Sequence, residues 1–210
     1  NTKNTMTKIN QTTIIGSENK IDGTELDKSI IMGSRHNINQ NQPTTSKLGQ
    51  NVIIGEKQTI DNSEQATTIG NDIIAKNARG GVAIGGDDGT TGVYRPTKIE
   101  GDHTIAMGTG AQALEKGAMT LGVNAHASGL RSTALGMLSY TKTQDGVALG
   151  SKSFADTDNG IKGLDFAKGD QGSPATKDNE IWKSTLAAVS LGGKEHIAKE
   201  DQMNVNNKIN

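Results

Sequence analysis

The sequence predicts an all-β chain wound as a β-solenoid, a stack of short two-stranded coils. Three observations predict it. A four-residue motif, an apolar residue or Thr, then any residue, then an aliphatic residue or Met, then Gly, recurs ten times, ending on Gly16, Gly33, Gly55, Gly70, Gly85, Gly108, Gly122, Gly136, Gly150 and Gly192. The clearest spacing, from Gly108 to Gly150, is 14 residues, and the 42 residues from Gly150 to Gly192 are three times that. Fixed periods of this kind mark repeat architectures. Composition is the third observation: 32% hydrophobic and 2% aromatic residues are too few for a thick core, so burial must come from stacking thin coils.

Taken in order, residues 1–11 precede the first repeat and are expected to be a flexible N-terminal segment. Residues 12–155 are expected to form the roll, broken by an insertion at about 86–104. Residues 156–188 form a second insertion, and 189–210 hold the last coil and a short tail. Within each strand, side chains alternate between faces, so the residues three and one before each glycine share a face. Bulk assigns that face to the inside, giving a core of Ile54, Ile84, Met107, Leu121, Leu135, Val147, Leu149, Val189 and Leu191, with Trp182 packing the second insertion. The residue two before the glycine then faces outward; it shrinks from Ile31 and Ile53 to Ala106, Ala134 and Ala148, which implies the close approach of another backbone. Gly85, Gly108, Gly122, Gly136 and Gly150 are read as corner positions that need positive φ or close packing between turns.

Composition and motifs exclude most chemistry. Charge nearly cancels, with 22 Lys and Arg against 23 Asp and Glu, and no basic run is present, so a nucleic acid is not an expected partner. The absence of cysteine removes disulfides, thiolate metal sites and cysteine nucleophiles. His36, His103, His126 and His196 lack metal-ligand spacing, and no metal is expected. Asp156-Thr157-Asp158-Asn159-Gly160 departs from a calcium loop, with glycine one place early and Ala167 at the twelfth position; it and Asp87-Asp88-Gly89 read as turns. Gly85-Gly86 and Gly108-Thr109-Gly110 lack the remaining residues of phosphate and dinucleotide loops, and no nucleophile elbow occurs. The chain is therefore expected to be non-catalytic and to need no cofactor. It shows no signal peptide, apolar span or terminal set of amphipathic strands, and is expected to be a fragment whose contact with a membrane runs only through a missing C-terminal anchor.

The segments Val82-Ala83-Ile84-Gly85, Met119-Thr120-Leu121-Gly122-Val123-Asn124-Ala125-His126-Ala127-Ser128-Gly129 and Gly146-Val147-Ala148-Leu149-Gly150 resemble the head repeats of trimeric autotransporter adhesins. The stretch from Ile181 to Gly192 resembles the insertion that precedes the last head coil in that family. The resemblance implies a left-handed parallel β-roll, an intertwined homotrimer with the small residue of each strand near its axis, and a place on the bacterial cell surface, held to the outer membrane by a stalk and anchor. The tail after Gly193 lacks the family's usual neck wording, although it begins where a neck-like segment is expected.

The resemblance further implies a partner among host proteins: a carcinoembryonic-antigen-related receptor, collagen, fibronectin or an immunoglobulin. Loops that leave a solenoid usually carry its function, and interfaces favour Tyr, Trp and Arg. Tyr94 and Arg95 in the first insertion are thus the leading receptor-contact candidates, with Lys98 and Tyr140 beside them. A trimeric phage tail-fibre or virion solenoid segment is the alternative function.

Overall fold

The computed structural model describes residues 4–6, 9–23, 26–40, 49–87, 95–161, 164–165, 173–174, 184, 187 and 189–191. Over these residues the chain is β-structure with no helix, arranged mainly as two ten-stranded parallel sheets. The motif strands build the first sheet: β3 (Thr13–Ile15), β6 (Ile30–Ser34), β8 (Val52–Glu56), β10 (Thr67–Asn71), β12 (Val82–Gly85), β14 (Ile105–Met107), β16 (Met119–Leu121), β18 (Thr133–Leu135), β20 (Val147–Leu149) and β24 (Val189–Leu191). The return strands build the second: β1 (Thr5–Met6), β4 (Lys20–Gly23), β7 (Asn37–Gln40), β9 (Thr59–Asp61), β11 (Ile74–Lys76), β13 (Lys98–Glu100), β15 (Gln112–Ala113), β17 (His126–Ala127), β19 (Tyr140–Thr141) and β21 (Phe154–Ala155). Two short pairs complete the set, β2 (Ile9–Asn10) with β5 (Leu26–Asp27) and β22 (Leu164–Asp165) with β23 (Ser173–Pro174). Each sheet spans about 43 Å along the stack at the usual ~4.8 Å strand spacing.

Register is uniform from end to end. Ile31 pairs with Ile53, Ile53 with Thr68, Thr68 with Ala83, Ala83 with Ala106, and so on to Ala148 with Ser190. Both interruptions leave it intact. Pairing of Val82 with Ile105 crosses the first insertion, and pairing of Val147 with Val189 crosses the second. Lys98–Glu100 belongs to the second sheet, and Thr97 closes against Gly86 through reciprocal main-chain and Oγ1 hydrogen bonds of 2.9–3.0 Å. The first insertion is thus confined to residues 87–96, shorter than the 86–104 expected. The segment expected to be flexible before residue 12 contains β1 and β2, which pair with β4 and β5.

The assignment of faces is the main correction. Met107, Leu121, Leu149, Val189 and Leu191, expected in the core, are exposed, Leu121 at 52% and Leu191 at 64%. Ile54, Ile84, Leu135 and Val147 are only half-buried. The interior is instead filled by the middle residue of each motif strand, with Ile31, Ile53, Thr68, Ala83, Ala106, Thr120, Ala134 and Ala148 all fully buried. Facing them from the second sheet are Ile21, Ile38, Ile60, Ala75, Ile99, Ala113, Ala127, Thr141 and Ala155. The reason is geometric: two sheets joined by corners of a few residues leave space for one inward side chain per strand, and in the 14-residue coils that side chain must be small. The backbone whose approach shrinks it is the roll's own second sheet. Ile fills the interior of the N-terminal coils at Ile21, Ile31, Ile38, Ile53 and Ile60, whereas the regular 14-residue coils use Ala or Thr. Trp182 lies outside the described residues.

The corners carry the backbone strain of so tight a winding. Left-handed conformations recur in columns, as at Lys57, Asp72, Gly110, Asn124, Leu138 and Lys152, where φ lies between 52 and 68°. The motif glycines form a second special column. Gly122 has φ of 142°, and a Cβ there would sit 2.5 Å from the Gly136 carbonyl oxygen of the next coil. Only glycine lets successive coils meet that closely.

Candidate interaction surface

The two sheets present very different outer faces. On the first, two continuous apolar columns run in register along the whole stack. One contains Ile30, Val52, Thr67, Val82, Ile105, Met119, Thr133, Val147 and Val189; the other contains Met32, Ile54, Ile69, Ile84, Met107, Leu121, Leu135, Leu149 and Leu191. Ile15 at the N-terminal end of the second column is 56% exposed. Soluble monomers rarely leave so continuous an apolar strip open, because scattered apolar residues are tolerated but contiguous ones mark an interface. Val123 and Met137 extend the strip around the adjacent corner.

The outer face of the second sheet is mixed. One of its columns reads Lys20, Asn37, Thr59, Ile74, Lys98, Gln112, His126, Tyr140 and Phe154. In-register pairing stacks its last three rings: His126 on Tyr140 with centroids 4.9 Å apart and planes 18° apart, Tyr140 on Phe154 at 5.2 Å and 27°. Such stacks stabilise by about 0.5–1.5 kcal/mol beyond area burial and hold the rings rigid. The Ser128 hydroxyl lies 3.4 Å from the Tyr140 hydroxyl. Burial, with the Lys98 charge adding to it, pulls the His126 imidazole down to about 4, so it is neutral at pH 7.

Of the four receptor-contact candidates, Lys98 and Tyr140 share this column, separated by Gln112 and His126. The Lys98 ammonium is 2.9 Å from the Glu100 carboxylate. Arg95 is half-buried where the insertion rejoins the roll; its main-chain N–H donates to Asp87 Oδ1 at 2.9 Å, and its carbonyl packs near Gly110. Tyr94 lies outside the described residues. Sequence reading missed His126 and Phe154 as partners of Tyr140. The signal was available: all three stand four residues after a motif glycine, Gly122, Gly136 and Gly150.

Ion pairs decorate the corners, with Arg131 gripping Asp145 through two hydrogen bonds of 2.6 and 2.8 Å, Arg79 pairing with Asp102 and Arg35 with Glu56. The Arg131 bond holds the Asp145 carboxyl below its ordinary range. Among the described residues, no group of three or more His, Cys, Asp and Glu is placed to hold a metal ion.

Residues 100–119 and 115–139 match the YadA head domain repeat, in two copies. The matched stretch runs from the last residue of β13 to the residue before β19 and holds Gly108, Gly122 and Gly136. No curated protein matches the chain. The two copies support a trimeric autotransporter adhesin head domain; such heads are surface-exposed adhesin parts and generally non-enzymatic.

Proposed function

We propose that the chain is the head of a trimeric bacterial surface adhesin, a non-catalytic rod that binds a host surface or matrix protein. The observation that carries this is the pair of apolar columns on the first sheet's outer face, which a roll standing alone would leave in water. Three copies of a left-handed roll, each turning that face toward a common axis, cover it. The columns suit a closed ring. One is rich in Val and Thr, the other in Ile, Met and Leu, so the first column of one chain meets the second column of the next, a heterologous contact that closes after three copies. The mixed second sheet then faces outward on all three sides, with Lys98, the Tyr140 stack and the Arg95 insertion offered in triplicate. Three copies of a weak site on one rigid body raise overall affinity through effective concentration.

Light scattering on the purified protein tests the assembly, with a mass three times that of the 22.0 kDa chain as the expected result. Leu135→Glu, a charge on the apolar face that leaves the roll interior untouched, is expected to shift the mass toward the monomer. A monodisperse monomer for the unmodified chain rules the reading out. Carcinoembryonic-antigen-related receptors, collagen, fibronectin and immunoglobulins are the host proteins to screen, and Tyr94→Ala, Arg95→Ala and Tyr140→Ala then separate the insertion from the aromatic column. In the same reading, attachment to an outer membrane runs through an anchor outside these residues.

A further inference from the structure

The N-terminal coils contain a polar spine absent from the alanine-lined coils beyond. Asn4, Asn19, His36 and Gln58 occupy one corner column, three residues after the motif glycine wherever that glycine is present. Asn19, His36 and Gln58 are essentially inaccessible to solvent. Asn4 and Asn19 link their coils to the next in two ways, whereas His36 supplies only the acceptor half and Gln58, whose buried Oε1 has no partner among the described residues, only the donor half. As acceptors, Asn4 Oδ1 takes the Asn19 N–H at 3.0 Å, Asn19 Oδ1 the His36 N–H at 3.1 Å, and His36 Nδ1 the Gln58 N–H at 3.3 Å. As donors, Asn4 reaches the Gly16 carbonyl, Asn19 the Gly33 carbonyl and Gln58 the Gly70 carbonyl, at 2.6–3.0 Å. His36 breaks the pattern. It supplies the acceptor half, but its buried Nε2 makes no well-aligned bond to the next coil, and only the Met32 carbonyl of its own coil acts on it.

We propose that His36 is a proton-sensitive joint in this spine: protonating the imidazole turns its Nδ1 acceptor into a donor facing the Gln58 N–H, and the coils N-terminal to Gln58 loosen from the rest. An imidazole carrying one proton must leave Nδ1 bare to accept that bond, so the closed spine selects the neutral ring. Burial pushes the His36 imidazole below its ordinary value of 6.5, while the Met32 carbonyl works in the opposite direction. Asp27, the buried carboxylate of these coils, lies in β5, where Asn10 Nδ2 donates to it at 3.3 Å, and it takes no part in the shift at His36. The other charged groups of the coils packed around it, Glu18, Lys20, Asp22, Lys28, Arg35, Glu56, Lys57, Asp61 and Glu64, are half-buried or exposed, and Arg35 pairs with Glu56.

The sign follows from linkage. A histidine lowered in the folded state contributes its stability above the ordinary value and loses it as pH falls below 6.5 toward the folded value. If the opened coil has an ordinary imidazole, the opening equilibrium rises by up to about 30-fold between neutral pH and pH 5, 1.5 units below the ordinary value. The C-terminal coils, whose corner column holds Ala111, Ala125, Ser139 and Ser153, lack this joint.

Amide hydrogen exchange on the intact protein at pH 7 and pH 5, corrected for intrinsic exchange, reads it directly. Protection at the His36 and Gln58 amides is expected to fall at pH 5, by up to about 30-fold, in the unmodified chain. In His36→Asn it is expected to be the same at both pH values, since Asn19 shows that asparagine makes both links in this column. The His126 coils, titrating through their own imidazole, keep their pH response in that variant and serve as the internal control. Should His36→Asn fail to fold, His36→Gln, which repeats the side chain of Gln58, takes its place. Equal protection at both pH values in the unmodified chain, or an unchanged pH response at Gln58 in the folded variant, overturns the proposal.

Discussion

Replacing Gly122 by alanine separates the two costs that this fold imposes on its corner residues. At φ of 142° an L-residue is strained, by about 1–3 kcal/mol. The added Cβ also meets main chain that has nowhere to go: the Gly136 oxygen at 2.5 Å, its carbonyl carbon at 2.6 Å and the Met137 nitrogen at 3.0 Å. Relief requires the coils to part by several tenths of an ångström, against the Gly136 N–H bond to the Leu121 carbonyl at 2.8 Å and the Leu138 N–H bond to the Val123 carbonyl at 2.9 Å. Weakening two such bonds adds about 1–2 kcal/mol, so the loss comes to about 2–5 kcal/mol, reaching the upper end for single substitutions. Gly160→Ala is the matched control, because Gly160 has φ of 86° with nothing within 4 Å of its added Cβ; strain alone costs it about 1–2 kcal/mol. Urea unfolding of both variants measures the difference. Equal destabilisation would show that coil contact contributes nothing, and the close-stacking account of the glycine column would fail.

The same geometry sets four further outcomes. Ile53→Ala empties a fully buried interior position and is expected to cost about 3–4 kcal/mol in chemical unfolding, whereas Leu149→Ala, on the outer face, chiefly weakens assembly as read by light scattering. Lys57→Asn, at an exposed left-handed corner where the same column elsewhere uses Gly110 and Asn124, is expected to add about 0.5–1 kcal/mol and raise the melting temperature. The His126 imidazole, lowered to about 4, contributes stability in full above pH 6.5 and loses it between 6.5 and 4; at most about 3 kcal/mol is at stake, and His126→Gln should flatten that part of the stability profile. Tyr140→Ala removes both ring stacks and is expected to cost about 2 kcal/mol in thermal unfolding.

The period of the glycines made the stacked architecture legible, because a residue that tolerates no side chain must recur wherever coils meet. The 86–104 span read as an insertion ran too far, because pairing shows Lys98 already back in the second sheet. The inside and outside of the strands could not be told from alternation. A period of two says which residues share a face, and bulk then put Val147 and Leu149 inward, as it would in a sandwich whose sheets stand far enough apart to hold them. Here the corners hold the sheets close, so Ala148 is the core residue and the larger side chains go outward. The useful clue was the uniformly small middle residue of the regular strands, Ala106, Ala134 and Ala148, which a thin interior requires. The aromatic stack was hidden because His126, Tyr140 and Phe154 lie 14 residues apart and become neighbours only through register.

Val147–Leu149 rests directly on Val189–Leu191 although residues 150–188 intervene along the chain, and Val82–Ile84 rests on Ile105–Met107 in the same way. Excursions therefore leave and re-enter at corners without shifting a single ladder partner. Sequence drift in those detours has no path to the scaffold, so loops there can be lengthened, replaced or discarded while the stack keeps its geometry.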